Sequence, residues 1–195
     1  MHQARTFSWP IAIVLSLALC GASWAEPSGA CWVGAAPDAL EARYSLTGRV
    51  VNVSDGDSFT LLSEGRKEKV RLASIDAPEI GRGRERPGQD MSRVSRESLA
   101  KLLQGRNLTV QCFEQDHYGR NICDVPLDEG GTANRRQVEA GLAWANMQGR
   151  GKYMRDAQMC RLEAQARRER LGLWQFLRPV RPWAWRYDCW KQGRC

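Results

Sequence analysis

Between Leu46 and Ile75 the chain holds three short runs rich in β-branched residues, each separated from the next by turn chemistry, and no other feature limits its fold as strongly. The first, Leu46 to Val53, alternates. Asp55-Gly56 is a tight-turn dipeptide, and Ser58 to Leu62 follows it as a second run. Gly65, within the polar stretch Ser63 to Arg66, turns the chain into a third strand, Lys67 to Ile75. Successive side chains on a strand point to opposite faces. Val70 and Leu72 are therefore expected on one face of that strand, with Arg71 and Ala73 on the other.

Beyond this sheet signal lies a Gly/Arg/Pro loop, Gly81 to Gly88. From Met91 to Leu103 the apolar residues Val94, Leu99, Leu102 and Leu103 suit an amphipathic helix ended by Gly105. Leu108 to Phe113 and Asn121 to Leu127 read as fourth and fifth strands hinged at Tyr118-Gly119. Asn134 to Ala140 reads as a short helix stopped by Gly141. Tyr153, Ala157, Cys160, Ala164 and Leu171 recur at helical spacing and predict a longer helix from Lys152 to Leu171. A Trp/Pro/Arg tail, Trp174 to Cys195, completes the chain. This order predicts an α+β fold and is compatible with a five-stranded Greek-key barrel carrying about three helices. Strand counts alone do not select it over other α+β designs.

The first residues have a different character. Arg5 is the only charged side chain before Glu26, Ile11 to Leu19 is apolar, and Ala22-Ser23-Trp24-Ala25 offers small residues for cleavage. That is the order of a secretory signal, too short for a membrane span. Residues 1–25 are thus expected to be removed near Ala25, leaving a secreted or periplasmic protein. No later segment is apolar enough to cross a bilayer. Cys20 would leave with the signal, so Cys31, Cys112, Cys123, Cys160, Cys189 and Cys195 remain. An even set outside the cytosol reads as disulfides. Zinc is excluded by spacing, since there is no Cys-x-x-Cys and His117 is the one histidine after Ala25. Cys112 and Cys123 are the pair to expect first, because they lie about equally far from the Tyr118-Gly119 hinge on two strands expected to pair antiparallel.

The whole chain carries 29 basic against 22 acidic residues. Residues 150–186 hold ten Lys or Arg and three acids, an excess that draws in a polyanion. A solvated helix face with a basic tail has the same composition, and charge alone does not separate the two readings.

Asp55, Asp57, Asp76 and Glu79 lie close in sequence with Arg71 among them. Paired strands would bring these carboxylates to one end of a barrel, where converging hard oxygens invite a hard cation such as Ca²⁺. The same acids also suit plainer roles, with Asp55-Gly56 turning a hairpin and Ala77-Pro78-Glu79 ending a strand. An EF-hand is excluded, because its acidic spacing and terminal glutamate are missing.

Val53-Ser54-Asp55-Gly56-Asp57-Ser58 and Val70-Arg71-Leu72-Ala73-Ser74-Ile75-Asp76-Ala77-Pro78-Glu79 resemble the first signature of the thermonuclease (staphylococcal-nuclease-like) family. Asp116-His117-Tyr118-Gly119-Arg120 resembles its second. Gly141-Leu142-Ala143-Trp144, Glu163-Ala164-Gln165-Ala166-Arg167 and Gly172-Leu173-Trp174 resemble its helical half, collinear from Leu46 to Trp174. The resemblance implies an OB-fold barrel over residues 44–177, after a leader at 26–43 and before a basic Trp-rich tail at 178–195. It implies a calcium-dependent nuclease acting on DNA and/or RNA as a monomer. Asp57 and Asp76 would bind Ca²⁺ with the Ala77 main-chain carbonyl, and Glu79 would hold or deprotonate the attacking water. Arg71 and Arg120 would grip the scissile phosphate, and Tyr118 would contact the nucleotide.

The residue types suit that chemistry in their own right. Attack on a phosphodiester builds negative charge on non-bridging oxygens, and a divalent cation with planar Arg forks stabilises it. Two departures stand out. Ser58 replaces the family's usual Thr. Asn146-Met147-Gln148 stands where relatives carry a nucleotide-holding aromatic, which leaves Tyr153 as the candidate substitute. Trp183-Ala184-Trp185-Arg186 offers base stacking or a cap on the barrel. The competing readings are an OB-fold module that binds nucleic acid without cutting it, and a cell-envelope accessory protein on the same scaffold.

Overall fold

A computed structural model describes residues 41–195; the expected signal peptide, nearly all of the leader and Cys31 lie outside the described residues. Five strands close a barrel in the order β1 (Tyr44–Asp55), β2 (Ser58–Ser63), β3 (Arg66–Leu72), β6 (Asn121–Asp124) and β5 (Asn107–Gln115). Every contact in it is antiparallel except β3 with β6, which run parallel and pair Val70 with Asn121, Arg71 with Ile122 and Leu72 with Cys123. Helix α1 (Ser92–Leu103) packs on the barrel, and α2 (Ala133–Glu139) packs on α4 (Gln158–Arg168). The short α3 (Gln148–Gly151) precedes α4, and α5 (Pro182–Trp185) runs into a π-helical turn, Arg186–Lys191. The expected α+β barrel is therefore present, with more and shorter helices than sequence periodicity suggests.

The inward residues of the strands, Val50, Phe59, Leu61, Val70, Leu72 and Val110, meet Leu99 and Leu103 of α1 and Met159 of α4 in one core. Two helix faces differ from expectation. In α1, Val94 points to solvent while Ser95 is buried, because its hydroxyl donates to the Leu142 carbonyl at 2.8 Å. The helix predicted from Lys152 begins only at Gln158 and buries Met159, Leu162, Glu163 and Ala166. Glu163 is tolerated inside because it accepts from the Ala145 amide at 2.7 Å and pairs with Arg167.

The third strand ends at Leu72, earlier than predicted, because Ser74 takes a left-handed backbone (φ 66°) and reverses the chain. Its hydroxyl accepts from the Arg155 and Asp156 amides at 2.7 and 3.0 Å, which holds the turn in place. The next two residues form β4 (Ile75–Asp76), paired with β7 (Trp144–Ala145). That reversal brings Asp76 back beside Arg71.

Two disulfides are described. Cys112 and Cys123 face each other across β5 and β6, with Cα atoms 4.0 Å apart, as expected from the hinge. Cys189 and Cys195 close a second loop in the tail, and Cys160 is also disulfide-bonded.

Candidate active site

The turn between β1 and β2 sets one wall of the site. Asp55 accepts from the Gly56 amide at 2.8 Å, the Asx chemistry of a tight turn. Gly56 is pressed against α1 and the strand end: a Cβ there would lie 1.9 Å from Ser95 Oγ and 2.8 Å from Ala77 Cβ. Its carbonyl accepts from the buried Gln137 amide at 2.7 Å. The acidic turn is thus clamped between helices, and Asp57 leaves it at a fixed angle.

Asp57 and Asp76 are 6 % and 1 % exposed. Charges so far from water require partners. One nitrogen of Arg71, Nη2, reaches Asp57 Oδ2 at 3.1 Å and Asp76 Oδ1 at 2.7 Å. Asp57 also accepts from the Ser58 hydroxyl at 2.6 Å and the Ala77 amide at 3.2 Å, so the Ser that replaces Thr keeps its hydroxyl contact. Arg71 Nε is buried without a partner. Burial alone would raise the Asp76 pKa, but Arg71 and Arg186 outweigh it and hold the carboxyl below its usual range. Arg71 is held firmly charged, since Asp57 and Asp76 overcome its own desolvation.

Glu79 follows on the loop after β4, its amide bonded to Gln89 Oε1 at 3.1 Å. Burial raises its pKa, although Arg186 pulls in the opposite direction. Asp55 is pushed up to about 8, first by burial and then by the charge of Asp57. With Asp55 pushed upward, Asp57, Asp76 and Glu79 face the guanidinium of Arg71 from the barrel and that of Arg186 from the tail, three carboxylates against two cations, and their hard oxygens are of the kind that a divalent cation takes. Among the described residues no three His, Cys, Asp or Glu side chains form a ready metal-ligating group. Ala77, whose main-chain carbonyl the resemblance offers as a third ligand, follows Asp76 in the chain and is itself buried.

Arg120 sits at the tip of the β5–β6 hairpin. Asp116 accepts from the Tyr118 and Arg120 amides, both at 2.9 Å, and from Arg120 Nε at 2.8 Å, fixing both tip and guanidinium. Those bonds to Arg120 overcome burial and lower the Asp116 pKa. Asp116 was not singled out from the sequence, yet it aims Arg120. Tyr118 is 68 % exposed, and Arg120 lies over its ring at 5.4 Å. Tyr153 is 40 % exposed, with Lys152 Nζ 4.7 Å from its ring centroid.

Of the residues expected at the site, Asp57, Arg71, Asp76, Glu79, Tyr118, Arg120 and Tyr153 line one cleft of about 1090 Å³, and Ala77 does not. Asp57, Arg71, Asp76 and Glu79 cluster at one part of it. Arg120, Tyr118 and Tyr153 stand along its walls without bonding to the acids. The opposite wall is the C-terminal tail: Trp183, Arg186, Tyr187, Trp190 and Lys191. Arg186 donates to both oxygens of Asp76, at 3.1 and 2.8 Å, and to Glu79 Oε1. Sequence reasoning missed it. The only signal was an arginine beside two tryptophans in a segment read as a cap.

Residues 69–176 match the family described as Staphylococcal nuclease homologue. Similar proteins include an uncharacterized endonuclease of Escherichia coli O157:H7, 36 % identical over 73 % of this chain and 86 % of its own length. A micrococcal nuclease of Shigella flexneri is 39 % identical over 71 % of this chain and 79 % of its own. An uncharacterized endonuclease of Haemophilus influenzae is 34 % identical over 74 % and 75 %.

Proposed function

The chain belongs to the staphylococcal nuclease homologue family, and from that premise we propose that this nuclease hydrolyses phosphodiester bonds of DNA and/or RNA in a Ca²⁺-dependent reaction. The observation that carries the reading is the buried Asp57–Arg71–Asp76 cluster with Glu79 beside it in a cleft of about 1090 Å³. Asp57, Asp76 and the Ala77 carbonyl would hold the cation, which supplies positive charge against the non-bridging oxygens of the phosphate.

The chain's own residues do the remaining work. Arg71 presents a guanidinium whose charge is locked by its two aspartates, at the point where phosphate charge develops. Arg120, held by Asp116, approaches from the hairpin tip as the second fork. Glu79 is the carboxylate placed to orient water and take its proton. Tyr118 and Tyr153 offer exposed rings along the cleft for the flanking nucleotide. Strand positions hold Arg71 and Asp76, the turn between β1 and β2 holds Asp57, and Asp116 holds Arg120, so these groups are aimed in advance, which favours the transition state.

The described disulfides suit an oxidising compartment, and no described helix is long and apolar enough to cross a membrane. The disulfides and the N-terminal signal pattern support a secreted or periplasmic location, and we take the chain to be a monomer with its nuclease domain over residues 44–177. The direct test is to incubate the purified protein with single-stranded DNA, with Ca²⁺ or with excess chelator. Fragments only in the Ca²⁺ sample are expected; equal cutting in chelator would overturn the metal requirement.

A further inference from the structure

Residues 178–195 read from sequence as a tail, yet they are built into the cleft. The indole N–H groups of Trp185 and Trp190 both donate to the Pro87 carbonyl at 2.9 Å. Gln89 donates to the Val180 carbonyl at 2.7 Å while its side-chain oxygen accepts from the Glu79 amide. The Cys189–Cys195 disulfide closes the turn that follows Arg186. Three separate hydrogen bonds therefore seat the tail on the loop that also carries Glu79.

The seat delivers one side chain to the acids. The Arg186 fork takes both oxygens of Asp76 and reaches Glu79 Oε1 with its Nη1. Arg71 already occupies Asp76 Oδ1 from the barrel side. Both oxygens of Asp76 thus already accept from a guanidinium. Arg186 supplies charge and hydrogen bonds of the kind that a hard cation would satisfy, and bidentate Arg–carboxylate pairing is among the strongest polar contacts.

We infer that Arg186 is a built-in competitor for the divalent cation: it occupies Asp76 and Glu79 in the resting chain and must withdraw before metal binds there. This rests on the metal reading proposed above. The side chain is 29 % exposed on the cleft wall, so it has room to leave. Cation affinity is then an apparent value, reduced by the fraction of molecules in which Arg186 is seated. Trp183, Tyr187 and Lys191 line the same cleft, so a displaced Arg186 would join a cationic and aromatic wall available to a polyanion.

Calorimetric titration of the intact, oxidised chain with Ca²⁺ alone tests the inference without reference to cleavage. Arg186→Ala is expected to bind Ca²⁺ roughly 10- to 100-fold more tightly than the parent, the scale of the contacts it releases. Arg186→Lys keeps the charge but loses the fork and should fall between them. Melting curves establish that each variant folds; should the alanine variant not fold, the lysine variant still decides, because unchanged affinity there overturns the inference. Equal affinity in the parent and Arg186→Ala overturns the competition while the metal reading stands. If neither binds Ca²⁺, the metal reading fails and the competition fails with it.

Discussion

Arg71 and Asp76 are five residues apart, yet Arg71 Nη2 lies 2.7 Å from Asp76 Oδ1, because the left-handed turn at Ser74 folds β4 back under β3. The pair is buried, so removing one member weakens the hold on the other. Asp76→Ala leaves Arg71 with Asp57 alone and Arg186 with Glu79 alone, and should destabilise the chain by less than the about 3–5 kcal/mol of a fully stranded buried charge. Asp76→Asn keeps the shape and separates folding from chemistry. Cleavage should vanish in Asp76→Asn and in Asp57→Ala while thermal melting still shows a folded barrel. Wild-type turnover in either variant would remove that residue from the site.

The two arginines of the cleft are expected to act through fork geometry. Truncating Arg71 or Arg120 should lower turnover by about 10²- to 10³-fold, and lysine should restore little. Asp116→Asn weakens the aim of Arg120 without removing its charge, so its effect should be smaller. Steady-state kinetics on a defined oligonucleotide separate these outcomes; a change of less than about threefold clears a residue of the role.

The Cys112–Cys123 bridge ties the strands that present Arg120. Reduction, or replacement of both cysteines by alanine, should cost about 2–4 kcal/mol and loosen the hairpin. Activity should fall at temperatures where circular dichroism still reports a folded barrel. Coincident loss of both signals would place the bridge in global stability alone.

Asp124 is a half-buried carboxyl away from the cleft acids, pushed up to about 6 by desolvation and by the nearby Asp156, against a usual value of 3.8. Its folded pKa exceeds its unfolded one. Its favourable contribution is therefore complete below about pH 4 and is lost as pH rises through about 6. Asp124→Asn keeps an oxygen for Asn134 and should stabilise the protein at pH 8 by up to about 3 kcal/mol. The gain should disappear near pH 3.5. Melting curves at both pH values check the sign.

Much of this architecture was legible in the residues. Alternation set the strands, and the hinge at Tyr118-Gly119 set the register that joins Cys112 to Cys123. The acids and arginines of the cleft stood out because their types match phosphate chemistry in a family-like order. Other features carried no local signal. Ser74 adopts a left-handed backbone without being glycine, so nothing marked the early end of β3. Glu163 breaks the apolar face of α4, because a charged side chain satisfied by a distant amide looks like a surface residue in one dimension. Arg186 meets Asp76 across 110 positions of chain. Its partner is fixed by where the tail docks, which periodicity does not encode.

The parallel pairing of β3 with β6 has a kinetic consequence. Arg71 lies beside Ile122 across a gap of roughly fifty residues, and Arg120 immediately precedes β6. Such a contact forms only after a long loop has closed, which makes it slow compared with hairpins and helices. The two phosphate-gripping segments are therefore assembled by a late, non-local event. A chain caught partway, with β1 to β3 already formed as a meander, has Asp55, Asp57 and Arg71 in place but no second fork. The onset of cutting during refolding should then track barrel closure itself.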